Sequence, residues 1–158
     1  MTNQTDRKGL SLSERWFALR SIILLHLISI SIRWFGFTAV YRWMDHRLKI
    51  SAAGGPAIIR SYSASMASDQ AARLGELVGI GNRRFKPLMV SCLPESLTVW
   101  WFLRRKGIDA RIRLGVRKVD SVVPNRSNLD GHAWVEVDNR VVSGDPDLAG
   151  QFTPMNSN

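Results

Sequence analysis

One cysteine occurs among the 158 residues of the chain, and the sequence around it suits nucleophilic chemistry. Cys92 follows Ser91 and opens a segment that we predict to be helical, where free backbone N–H groups and the helix dipole stabilise negative charge. The thiolate is the reactive form of cysteine, so a cysteine placed here can attack a carbonyl carbon. A lone cysteine is more often a small buried apolar residue, so Cys92 alone does not assign an activity.

A thiol nucleophile needs a base, and the chain offers three histidines. His132 opens a predicted strand directly after Asp130-Gly131, so its ring can project into a cleft and accept the thiol proton. His26 and His46 lie in N-terminal segments of helical character, where we expect packing or surface roles. His132 is therefore the candidate base.

A third group must orient the imidazole by accepting a hydrogen bond from its second ring nitrogen. Pairing of strands around the turn Asp138-Asn139 brings the end of the return strand beside His132, which makes Asp145 the expected orienting acid. Asp147 can replace it in a slightly different register, and Asp138 itself is expected only to form the turn. The residues together predict a Cys–His–Asp constellation typical of thiol peptidases.

Helical patterns dominate the first two thirds of the chain. We predict helices from residue 11 or 13 to about 32, interrupted by Gly36, then over about 38–48, 61–78 and 91–105. A loop is predicted at residues 51–56, and Gly79, Gly81 and Asn82 are predicted to end the third helix. Ser91 is the expected cap of the fourth helix, and Gly107 the residue that stops it.

The last third of the chain alternates between apolar and polar residues, which predicts strands at 110–116, 132–137 and 140–143. Asp138-Asn139 is a hairpin signal between the last two strands, although it lacks the preferred glycine. Helices followed by a small antiparallel sheet predict an α+β fold.

The length and composition of the chain limit its domain organisation and its possible partners. The length predicts one compact domain, with disordered residues 1–9, a helical region 10–50 that packs on the core or on a partner, and a peptidase core over 51–158. The net charge of +9 indicates an acidic partner. The sequence contains no nucleic-acid-binding motif, and its basic residues do not alternate with aromatic residues that could stack on bases. A single cysteine excludes an internal disulfide and a zinc site of several thiolates, and it fits a reducing compartment.

An apolar run at residues 21–32 follows Arg7, Lys8, Arg15 and Arg20. It superficially resembles a signal peptide, but no small-residue cleavage site follows it. It is also shorter than the roughly 20 apolar residues of a spanning helix. We expect a helix buried against the domain or a partner, and an interfacial membrane helix is the alternative.

A set of ordered motifs between residues 87 and 152 resembles the lasso-peptide biosynthesis B protein, a family of the transglutaminase-like cysteine-peptidase superfamily. The motifs are Cys92-Leu93-Pro94-Glu95-Ser96-Leu97, Trp100-Trp101-Phe102-Leu103-Arg104-Arg105-Lys106-Gly107, Leu114-Gly115-Val116-Arg117-Lys118, His132-Ala133-Trp134-Val135-Glu136-Val137 and Gly144-Asp145-Pro146-Asp147. The resemblance implies a transglutaminase- or papain-like peptidase core with Cys92 as nucleophile, His132 as base and Asp145 as orienting acid. It implies no cofactor and no metal.

The resemblance further implies a leader peptidase of the bacterial cytoplasm that releases the core of a ribosomally made precursor, which a separate ATP-dependent cyclase then closes into a macrolactam. The N-terminal residues read as helices, so we expect the split form, which depends on a separate PqqD-like recognition protein to deliver the leader. Two alternatives stay open: a non-catalytic peptide-binding adaptor and a membrane-surface protein anchored by residues 10–50.

Several other residues could bind substrate or partner. Trp100 and Trp134 could line a groove, although tryptophans in apolar segments are more often core residues. Arg111, Arg113 and Arg117 share one face of a predicted strand and could form a docking surface. The run Arg104-Arg105-Lys106 ends a helix, where positive charge complements the dipole.

Overall fold

A helical half and a sheet half follow one another in the computed structural model, which describes residues 12–53, 64–84, 91–118, 129–144 and 146–155. Over these residues the fold is α+β, as the sequence predicted. The elements are α1 (Leu12–Phe35), α2 (Phe37–Ala53), α3 (Ala64–Arg84), α4 (Cys92–Arg105), β1 (Ala110–Lys118), β2 (Leu129–Val137), β3 (Arg140–Ser143), α5 (Pro146–Ala149) and β4 (Thr153–Pro154).

The strands form one antiparallel sheet in the order β3-β2-β1-β4. The predicted strands are confirmed, and the pairing of β1 with β2 extends them to Lys118 and back to Leu129. Asp138 and Asn139 have φ angles of 49° and 62°, so both residues adopt the left-handed conformation of a tight hairpin turn. The predicted hairpin is therefore confirmed, although neither turn residue is glycine.

Each face of the sheet is covered by a different part of the chain. Val135 and Val137 join the main core, to which α1 to α4 contribute Leu25, Ile28, Val40, Met44, Leu74, Val78, Leu97, Trp100 and Leu103. On the other face, Trp134 packs with Ala149 and Phe152 in a second, smaller cluster. Because successive side chains of a strand point to opposite faces, His132 lies on the face of Trp134.

The predicted ends of two helices were wrong. The second helix continues through Ala53, so the first half of the predicted loop is helical, and residues 54–56 lie outside the described part of the chain. The third helix does not stop at Gly79 but runs to Arg84. A Cβ on Gly81 would lie 3.2 Å from the Ile22 side chain, so this glycine lets α3 approach α1 closely and does not break the helix.

The boundaries of the fourth helix fit the prediction more closely. Ser91 occupies the N-cap position, but its side chain makes no capping hydrogen bond. At the other end, Gly107 has a φ of 79° and its N–H donates to the Arg104 carbonyl, which confirms it as the residue that stops α4. Gly36, with a φ of 78°, separates α1 from α2 as predicted.

Candidate active site

Cys92 is the first residue of α4 and its side chain is half-buried. The N–H groups of the first turn of a helix have no partner within the helix, so the thiol lies beside backbone donors that favour negative charge. The cysteine is free. This is the local setting that the sequence predicted for a nucleophile.

Two hydrogen bonds tie the first turns of α4 to α3 and to β2. The buried Ser96, one turn after Cys92, donates its hydroxyl to the carbonyl oxygen of Ala133 at 3.0 Å. The side-chain amide of Asn82, near the end of α3, donates to Glu95 at 2.6 Å. The helix that carries Cys92 is therefore tied to β2 at the residue that follows His132.

The imidazole of His132 packs between two aromatic rings. Its centroid lies 6.1 Å from that of Trp134, with the planes 20° apart, and 5.2 Å from that of Phe152. The Nε2 atom is buried and has no hydrogen-bond partner among the residues that the structure describes. A buried ring nitrogen without a partner is costly, so this atom marks a place where a further group is needed.

Gly144 lies next to this nitrogen. A Cβ on Gly144 would be 3.5 Å from His132 Nε2, and its φ of 95° is one that other residues rarely adopt. Asp145, the predicted orienting acid, directly follows Gly144 but lies outside the described residues. Asp147, the fallback, is exposed in α5, and Asp138 occupies the hairpin turn as expected.

The helix that begins at Cys92 and the ring of His132 pack on opposite faces of the sheet. α4 packs on the face that holds Val135, whereas the His132 ring packs with Trp134 on the other. Within the described chain, no hydrogen bond joins the two side chains. β3 ends at Ser143, opposite Val135, so β3 does not cover the edge of β2 at His132.

Gly115 is a site residue that the sequence reasoning missed. It is paired with His132 across the sheet, and a Cβ there would lie 2.8 Å both from Phe152 and from the ring of Trp134. Only glycine leaves room for these rings to enclose the imidazole. Its signal in the sequence was an isolated glycine among the arginines of one strand face.

A family model of the transglutaminase-like superfamily matches residues 34–157. The chain belongs to this superfamily. No curated protein and no solved structure matches it significantly. The matched range contains Cys92, His132 and Asp145 and excludes most of α1.

The transglutaminase-like superfamily includes cysteine peptidases and transglutaminases, so membership supports the predicted fold without choosing a reaction. Among the described residues, no group of three or more His, Cys, Asp or Glu side chains could hold a metal ion.

The three arginines of β1 face carboxylates. Arg113 Nε donates to Glu136 at 2.9 Å, and Glu136 also accepts the indole N–H of Trp134 at 2.8 Å. Arg117 pairs with Asp130 at 3.0 Å, hydrogen-bonds Gln151 and covers the ring of Phe152. Arg111 lies 3.7 Å from Asp109. Most of the positive charge predicted for docking is therefore balanced within the fold.

Neither tryptophan lines an open groove. Trp100 is buried in the main core, where its ring lies 5.0 Å from that of Tyr41, and Trp134 is buried in the second cluster. These positions agree with the packing role that the sequence also allowed. His26 is bonded to the Ile22 carbonyl within α1, and His46 is exposed on α2, so both lie away from the candidate site.

Proposed function

We propose that this chain is the leader peptidase of a lasso-peptide pathway, which cleaves a precursor peptide at its leader–core junction with Cys92 as nucleophile, His132 as base and Asp145 as orienting acid. The motifs around these residues are those that resemble the B-protein family. Superfamily membership is compatible with this assignment and with a transglutaminase-like adaptor.

The observation that carries the proposal is the buried Nε2 of His132, which has no partner among the described residues and lies beside Gly144. The next residue is Asp145, whose carboxylate would accept a hydrogen bond from this nitrogen and hold the ring in one tautomer. The other ring nitrogen would then be available to the thiol.

Cys92 and His132 would meet around the edge of β2 that β3 leaves uncovered. The Ser96–Ala133 hydrogen bond supports this arrangement, because it holds the first turns of α4 against β2 next to His132. Catalytic hydrogen bonds are often long in a free enzyme and shorten when substrate binds, so we propose that the Cys92–His132 hydrogen bond forms only when the substrate is in place.

The chemistry follows from these roles. The Cys92 thiol transfers its proton to His132 as the sulfur attacks the carbonyl carbon at the junction, and His132 then protonates the departing amine of the core peptide. The thioester of the leader remains on Cys92, and water deprotonated by His132 hydrolyses it. The backbone N–H of Cys92, unpaired within its helix, is a candidate donor to the oxyanion.

The substrate of this reaction is the leader of a precursor peptide. We propose that a separate PqqD-like recognition protein delivers it in the bacterial cytoplasm and that an ATP-dependent cyclase closes the released core. An adaptor that binds peptides through the basic strand is less well supported, because Arg113 and Arg117 are paired with carboxylates.

The test combines purified chain, recognition protein and precursor, and follows the masses of the products. Wild-type protein should release leader and core, whereas Cys92→Ala and His132→Ala should each lower the rate by more than about a thousandfold. Cleavage that persists in Cys92→Ala would rule out the thiol mechanism. If wild-type protein leaves the precursor intact yet co-purifies with it, the adaptor is the better assignment.

A further inference from the structure

A stripe of exposed apolar side chains runs along α1. Its members are 46% to 78% exposed and are Leu12, Trp16, Leu19, Ile23, Leu27, Ile30 and Trp34. Successive members are three or four residues apart, so they share one helix face about 33 Å long, which we call the α1 stripe. Exposed apolar surface of this extent marks an interaction site.

The opposite face of α1 limits how the helix can be used. The segment Arg15–Phe35 is long and apolar enough to cross a membrane by length and composition, so the prediction that this run is too short to span was wrong: the helix extends beyond residues 21–32 at both ends. However, Leu25 and Ile28 are buried in the main core that α1 shares with α4. Crossing a bilayer would remove them from that core, whereas a helix lying on a surface exposes only the α1 stripe to it.

The charges beside the α1 stripe are positive. By helical spacing, Arg20 and Arg33 flank the stripe on its two sides, and both are exposed. At its N-terminal end, Trp16 and Arg20 line an open groove of about 470 Å³ together with Phe102 and Arg105 of α4. The sequence of α1 contains one acidic residue, Glu14, against three arginines.

The arginines beside the apolar residues indicate which partner the α1 stripe binds. Two copies of the chain that paired through the α1 stripe would bring arginines against arginines, which is unfavourable. An anionic surface would instead neutralise Arg20, Arg33 and Arg105 while the apolar residues left water. Trp16 and Trp34 lie near opposite ends of the stripe, and tryptophan is enriched at the boundary between lipid and water.

We propose that the α1 stripe docks this protein on the surface of an anionic phospholipid membrane, with α1 lying in the plane of the interface. The apolar side chains enter the boundary between headgroups and acyl chains, and the flanking arginines contact phosphate groups. The docking surface is separate from Cys92 and His132, so the proposal stands independently of the peptidase assignment.

Flotation of the full chain with lipid vesicles tests this docking. The protein should float with vesicles of phosphatidylcholine mixed with phosphatidylglycerol, and raising the salt concentration should release it because salt screens the arginines. Binding to phosphatidylcholine alone should be at least about tenfold weaker. Cys92→Ala should bind as the wild type does, because the thiol takes no part.

A matched pair of variants assigns the binding to the stripe. Leu27, in the stripe, and Leu129, at the start of β2, are each 57% exposed. Leu27→Glu should weaken vesicle binding by about tenfold or more, because it places a charge among the apolar side chains that enter the membrane. Leu129→Glu should leave vesicle binding unchanged. The double variant Arg20→Gln and Arg33→Gln, which leaves the apolar residues intact, should weaken binding to anionic vesicles only.

Three outcomes would overturn the proposal: no flotation of the wild type, equal binding to both vesicle types, or equal effects of Leu27→Glu and Leu129→Glu. Sedimentation velocity tests the alternative, in which the α1 stripe pairs two copies of the chain. A concentration-dependent dimer that Leu27→Glu dissociates, in a protein that does not float, would assign the α1 stripe to pairing between copies of the chain.

Discussion

The hydroxyl of Ser96 donates a hydrogen bond of 3.0 Å to the carbonyl oxygen of Ala133. The two residues are 37 positions apart in the chain, and each lies close to a proposed catalytic residue. Ser96 is one turn after Cys92, and Ala133 follows His132. This bond therefore couples the helix of Cys92 to the strand of His132.

Ser96→Ala should weaken that coupling. We expect the free energy of unfolding to fall by about 1 to 2 kcal/mol in urea titrations, and the cleavage rate to fall as well at temperatures where the variant is folded. The matched control is Thr98→Val, since Thr98 is equally buried but donates to the Pro94 carbonyl within α4 at 2.8 Å. Thr98→Val should lower stability by a similar amount and leave the cleavage rate of the folded protein unchanged; equal losses of rate would contradict a positioning role for Ser96.

Gly144→Ala tests the space around His132 Nε2. The φ of 95° is strained for alanine, and the added Cβ would lie 3.4 Å from the Cβ of Trp134 and 3.5 Å from the imidazole nitrogen. We expect a loss of about 1 to 2 kcal/mol of stability, measured by thermal or urea unfolding, together with reduced cleavage.

The control for this variant is Gly131→Ala, because Gly131 directly precedes His132 in the sequence. Apart from its two neighbours in the chain, no described residue has an atom within 4 Å of the position that its Cβ would take. Its stability should stay within about 0.5 kcal/mol of the wild type, with cleavage unchanged. A Gly144→Ala protein that cleaves normally would show that the surroundings of Nε2 do not matter to the reaction.

Local signals account for much of what the sequence predicted. The hairpin turn at Asp138-Asn139 and the end of α4 at Gly107 each depend on a few adjacent residues, and both were confirmed. Cys92 at the start of α4 was predictable for the same reason. The match of the chain to the transglutaminase-like superfamily agrees with the fold class inferred from the order of these elements.

Packing between segments that are distant in sequence explains the predictions that were wrong. Gly79 and Gly81 look like helix breakers in sequence, yet α3 continues through them because Gly81 lets α1 pack closely. From the sequence, Gly115 was interpreted only as part of an alternating strand. The need for glycine there comes from the rings of Phe152 and Trp134, which leave no room for a side chain and contact this position only in the folded protein. Similarly, the carboxylate partners of Arg113 and Arg117 lie on β2, so the sequence alone made these arginines look available for docking.

Asp145→Asn tests the third member of the proposed triad. An amide cannot hold the imidazole in the required tautomer, so cleavage should fall by a factor of about 100 to 10,000 while the unfolding transition changes little. Asp147→Asn is the control, since Asp147 is exposed in α5, and it should cleave as the wild type does. The reverse result in the same mass-spectrometric assay would make Asp147 the orienting acid.

Glu136 supports the wall of the His132 site through Trp134. Its two oxygens accept hydrogen bonds from the Trp134 indole at 2.8 Å and from Arg113 at 2.9 Å. Since the Trp134 ring stacks beside His132, Glu136→Ala should both leave a buried indole N–H without an acceptor and loosen the ring. We expect a stability loss of about 2 to 3 kcal/mol in urea titrations, with reduced cleavage.

Arg113→Ala separates the two bonds of Glu136. The ion pair is 38% exposed on the arginine side, so its loss alone should cost at most about 1 kcal/mol and leave cleavage nearly unchanged. Glu136→Gln keeps an oxygen for the indole and should resemble Arg113→Ala more than Glu136→Ala. Equal destabilisation by Arg113→Ala and Glu136→Ala would show instead that the ion pair, and not the bond to Trp134, holds this wall in place.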